Sequence, residues 1–97
     1  MELYKMRLLW ENFLIVERYK HLEYSRTFVN RYFWRSKQQQ EIDYLEEADG
    51  VLHAFEFKWS AKKIKRLPKT FTTTYPEAKV THITRENYID FVAPNHL

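Results

Sequence analysis

Apolar residues recur at helical intervals over residues 3–24, where Leu8, Ile15, Tyr19 and Leu22 form one stripe and Met6, Trp10 and Phe13 an adjoining one. That spacing predicts a long, well-buried helix. Aromatics and Val crowd residues 28–35, FVNRYFWR, and predict a strand whose start is blurred by Asn30 and Arg31. Residues 41–58, EIDYLEEADGVLHAFEFK, then read as the two arms of a hairpin about Asp49-Gly50, a dipeptide suited to a two-residue turn. From Trp59 to Leu67 the chain is basic and without period. Pro68 is placed to open a short helix, PKTFTTTY, with Phe71 and Tyr75 four apart on one face, and Pro76 to stop it. KVTHIT at 79–84 predicts a last strand, and ENYIDFV after it a further strand or an irregular tail. The order is helix, three strands, helix, strand, an α/β (α+β) domain.

The hairpin sets the chemistry. With a two-residue loop, positions whose numbers sum to 99 stand opposite each other. Ile42 then faces Phe57 and Tyr44 faces Phe55 on an apolar side, while Asp43 faces Glu56 and Glu41 faces Lys58 on the other. A bulged three-residue loop would set Asp43 against Phe55 and mix acids into the aromatic side, so the first register is preferred. Directly opposed carboxylates repel. A shared proton, a neighbouring cation such as Lys58, or a divalent metal would relieve them; the plain alternative is a wet sheet face with a Glu41–Lys58 ion pair. Glu11 interrupts the apolar stripe between Leu8 and Ile15, where a carboxylate is costly without a cation or metal, and a helix crossing the sheet would bring it to the hairpin acids.

Composition narrows the classes. At 97 residues, 44% hydrophobic and 18% aromatic, the chain has room for a single domain spanning residues 1–97. It has no Cys, which excludes disulfides and thiolate-bound zinc and fits a reducing compartment; His21, His53, His82 and His96 lack zinc-ligand spacing. Charges break the N-terminal apolar run, so neither a signal peptide nor a membrane span is read there, and the expected location is cytoplasmic. A net charge of +3 is mild, but Lys62, Lys63, Lys65, Arg66 and Lys69 cluster and, with Gln40, form a candidate contact to a nucleic-acid backbone; solvation of a loop is the alternative use.

An acid in a first helix, then Asp43, then Glu56-Phe57-Lys58 after twelve intervening residues, in an α-β-β-β-α-β order, resembles the restriction-endonuclease-like, or PD-(D/E)xK, nuclease superfamily. LLWENFLIVE (8–17), YFWRSKQQQEIDYLEE (32–47) and FEFKWSAKK (55–63) are similar to the C-terminal domain of unknown function attached to prokaryotic AAA-type ATPases, and that similarity covers nearly the whole chain. The resemblance implies a restriction-endonuclease-like core with a central mixed sheet flanked by helices. It implies Glu11, Asp43, Glu56 and the Phe57 carbonyl as ligands of Mg²⁺ or Mn²⁺, and Asp43, Glu56 and Lys58 as catalytic residues of a phosphodiesterase. In that ATPase family the nucleotide site lies in another domain; no GxxxxGK[ST] motif occurs here, so no ATP site is expected. The chain is then expected to be a C-terminal part of a larger ATPase or a short orphan relative. The expected partners are nucleic acid or an ATPase domain in cis or trans. A non-catalytic module that keeps the fold to bind nucleic acid or protein is the alternative, to which Trp10, Trp34 and Trp59 would contribute interface surface.

Overall fold

The computed structural model describes residues 2–38, 40–59 and 66–93. Helix α1 (Glu2–Tyr24) leads into strands β1 (Asn30–Arg35), β2 (Glu41–Ala48) and β3 (Val51–Phe57). Helix α2 (Lys69–Thr74), strand β4 (Lys79–Ile83) and helix α3 (Tyr88–Val92) follow. The strands form one mixed sheet in the order β1-β2-β3-β4, antiparallel except for the parallel β3–β4 pair. Parallel neighbours need a crossover, and α2 lies within it. Helices α1 and α3 pack on one face through Leu14, Tyr44, Phe55, Phe57, Ile83 and Phe91. Phe71 of α2 packs on the other against Ile42, Leu45 and Ala54. The fold is the expected mixed α/β core with flanking helices.

The turn decides the hairpin register. Asp49 and Gly50 both hold positive φ, 53° and 79°, as a two-residue hairpin turn of this hand requires. The paired residues run from Ala48–Val51 to Tyr44–Phe55, each summing to 99 as expected.

Three expectations change. First, one β1 residue, Phe33, spans the interval that two β2 residues, Asp43 and Tyr44, span between the Trp34–Ile42 and Tyr32–Leu45 pairs. This bulge breaks the alternation and sends Ile42 to the α2 face while Tyr44 stays on the α1 face, so the two do not share one apolar side. Second, α1 is buried along the predicted stripes only in part. Its sheet-facing line is Trp10, Glu11, Leu14, Ile15, Arg18 and Leu22, whereas Leu8, Phe13 and Tyr19 are exposed. Apolar residues occur all round this helix, so periodicity alone does not choose the face. Third, ENYIDFV forms α3, whose Phe91 enters the aromatic cluster, rather than a strand or irregular tail. A smaller shift places Pro68 at the N-cap, with α2 beginning at Lys69.

Candidate functional site

The open end of the hairpin, away from the Asp49-Gly50 turn, is where β2 and β3 exchange backbone pairing for side-chain contacts. Phe57 N–H donates to Asp43 Oδ2 at 2.8 Å, and Asp43 N–H donates to Glu56 Oε1 at 3.1 Å. Each carboxylate thus has one oxygen fixed by the main chain of the opposite strand. Asp43 Oδ1 and Glu56 Oε2 have no protein hydrogen bond among the described residues. The main chain therefore holds the two acids together, an arrangement the sequence reading did not contain.

The electrostatics record what these contacts leave unrelieved. Burial, then the proximity of Asp43, raises the Glu56 pKa to about 7, although the Asp43 N–H and Lys58 oppose the shift. Burial also raises Asp43, against the Phe57 N–H and Lys58. Glu11 is raised by burial and by Asp43, with Arg7 and Lys58 opposing. The fold therefore brings Glu11, Asp43, Glu56 and Lys58 within electrostatic reach of one another. Arg7, one turn before Glu11, also acts on this group and was missed; its i, i+4 spacing to Glu11 was the available signal.

Other predicted positions lie elsewhere. Glu41 is ion-paired with Arg35, its cross-strand neighbour in β1, rather than with Lys58. Exposed Gln40 closes the β1–β2 loop through a 2.8 Å bond from Ser36 N–H to its carbonyl. Arg66 and Lys69 are exposed just before and at the start of α2, the helix packed on the sheet face opposite α1. Lys62, Lys63 and Lys65, like His96, fall outside the described residues.

Residues 8–93 match the model of a domain of unknown function, DUF4143. The chain belongs to that family. No curated protein and no solved structure matches it.

Within this DUF4143 domain a metal would meet two carboxylate oxygens that no described residue claims, with Glu11 within electrostatic reach; the Phe57 carbonyl is a further ligand that the resemblance implies. Among the described residues no three His, Asp or Glu side chains stand ready to hold an ion by themselves. Mg²⁺ does not ask for such a cage: it keeps several waters and takes one or two carboxylates. The hard-oxygen donors and the mutual repulsion of Asp43 and Glu56 fit that ion.

A second acidic group in the DUF4143 domain contrasts with the first. Glu46, on β2, takes two bonds from Arg18 of α1, Nε at 2.8 Å and Nη2 at 2.9 Å, and one from the Tyr44 hydroxyl at 2.8 Å. Arg18 Nη1 donates to the Phe91 carbonyl at 3.0 Å, tying α1 to α3. Burial opposes the charge on Glu46, but the Arg18 fork and Tyr44 outweigh it and lower its pKa. Sequence reasoning missed this network. Its trace is the i, i+2 placement of Glu46 with Tyr44, which puts an acid on the aromatic face of β2.

Proposed function

We propose that this DUF4143 domain is a divalent-metal-dependent nuclease-like module acting on nucleic-acid phosphodiesters, in the manner of the restriction-endonuclease-like superfamily. One observation carries the reading: two carboxylates, each fixed by the opposing backbone and each with an oxygen that no described residue claims, beside Lys58 at the open end of a hairpin. Asp43 and Glu56, with Glu11 and the Phe57 carbonyl, are the proposed ligands. Mg²⁺ or Mn²⁺ held there would supply positive charge to polarise the phosphodiester and acidify water. Lys58 stabilises negative charge developing on the phosphate. Glu56, which burial and Asp43 make hard to ionise in the metal-free protein, would give up its proton to a bound cation. The Lys62–Lys69 segment tracks the backbone of the substrate, and the C-terminal domains of prokaryotic AAA-type ATPases are the setting in which such a module would work, in the cytoplasm. The test is plasmid nicking with Mg²⁺ or Mn²⁺. Lys58→Ala should abolish nicking while metal binding persists; nicking at the wild-type rate in Lys58→Ala would refute the catalytic assignment.

A second reading has its own support. Met6, Leu9, Phe13 and Val16, spaced 3-4-3 along α1 and opposite its sheet-facing line, are 52%, 68%, 44% and 50% exposed. Contiguous apolar exposure of this kind marks protein contacts, and it favours a module that docks on a protein partner such as an ATPase domain. Binding of such a domain that is lost in Leu9→Glu, with no nicking under any metal condition, would favour this reading over the first.

A further inference from the structure

Beside the acidic opening, three elements converge on one aromatic cluster. Trp59, which follows Lys58, meets Trp10 of α1 edge-on with ring centroids 5.3 Å apart. Arg85, in the turn between β4 and α3, lies over the Trp59 ring with its Cζ 4.9 Å from the centroid, and its Nε donates to the Trp59 carbonyl at 2.9 Å. Stacking and the carbonyl bond hold this guanidinium in a fixed pose, although Arg85 itself is exposed.

Arg18 shows what a structural arginine does here: its Nε, Nη1 and Nη2 each reach a protein acceptor. Arg85 spends only Nε. Its two terminal nitrogens have no acceptor among the described residues, and a planar pair of donors held in place matches a phosphate bidentately. The chain fixes the scale as well. Trp59 is three residues beyond Glu56, so their Cα atoms lie within about 10 Å of each other.

We propose that Arg85, seated on Trp59, grips a backbone phosphate of the nucleic-acid strand and thereby sets where the scissile bond lies over Asp43 and Glu56. This rests on the nuclease reading for its second half, but binding alone tests the first.

The experiment measures affinity of the whole chain for a fluorescent single-stranded DNA oligonucleotide, without divalent metal, across a salt series. Arg85→Ala should weaken binding about tenfold and lower the slope of log affinity against log salt by roughly 0.7, the value for one lost phosphate contact on a single strand. Arg85→Lys should keep the slope, because the charge remains, while losing affinity with the fork. Arg26→Ala, at the far end of α1, should change neither. Circular dichroism of each variant separates lost contact from lost fold, and the Lys variant carries the test should the Ala variant unfold. A wild-type slope in folded Arg85→Ala, or no wild-type binding at all, overturns the proposal. Wild-type binding without nicking leaves Arg85 as a phosphate contact and defeats the nuclease reading alone.

Discussion

The two ends of the β2–β3 hairpin carry the same kind of residue in opposite states. Near the turn, Glu46 is 5% exposed, and the Arg18 fork and the Tyr44 hydroxyl hold it charged. At the open end, Asp43 and Glu56 share a few ångströms of strand, have one backbone donor each, and resist ionisation. The first group joins α1 to the sheet and to α3. Its charge is fully answered within the protein. The second is left partly unanswered, and a fold that assembles such a group at the edge of its core maintains a strain that a bound cation would relieve. Charge satisfaction, rather than the presence of acids, separates the structural Glu46 from the two carboxylates proposed as ligands.

The comparison can be broken by substitution, and the largest effect belongs to the satisfied end. Arg18→Ala leaves Glu46 buried without its fork and should cost about 3–5 kcal/mol in denaturant-induced unfolding. A loss below about 1 kcal/mol would mean that the pair is solvated and the contrast is false. Next in size is the response to metal. Mn²⁺ at a hundred times its dissociation constant should stabilise the wild type by about 2.7 kcal/mol in thermal unfolding. The gain should shrink on going from pH 8 to pH 6, as protons compete for Glu56.

Smaller, and opposite in sign to the Arg18 loss, is Glu56→Gln at pH 8 without metal. Removing the repelled charge should stabilise by about 1 kcal/mol, roughly 4–8 °C in Tm for a domain of this size. The sign follows from linkage: the Glu56 pKa rises from 4.5 to about 7 on folding, so between those values the folded state binds more protons. Glu56 thus costs stability as pH rises through that window, and Glu56→Gln should flatten that part of the profile. Glu46 acts the other way. Its pKa is lowered on folding, so its contribution is present above 4.5 and is lost as pH falls through the folded value.

Much of this was legible in the chain because Asp49-Gly50 dictates its own turn. From that turn the register of Tyr44 against Phe55 follows, and Asp43 and Glu56 are brought to the same end. The bulge at Asp43 and Tyr44 was not legible, since it arises from pairing with β1 across a loop and leaves no mark in β2 itself. It is nonetheless what moves Ile42 across the sheet. On α1, Leu14 is fully buried although it belongs to neither predicted stripe, because a helix apolar on several sides is oriented by its partners rather than by its own period. Arg18 and Arg85 escaped for a related reason: long-range partners give an arginine its role, and sequence spacing does not record them.

The central proposal is that the open end of the hairpin is a divalent-cation site. Calorimetric titration with Mn²⁺ and Mg²⁺ near pH 7, in two buffers of different ionisation heat, tests this directly on the wild type, Asp43→Ala and Glu56→Ala. The account predicts binding by the wild type with release of a fraction of a proton from Glu56, and no binding by either variant. Wild-type protein that takes up no metal, or binding that survives both substitutions, would contradict it.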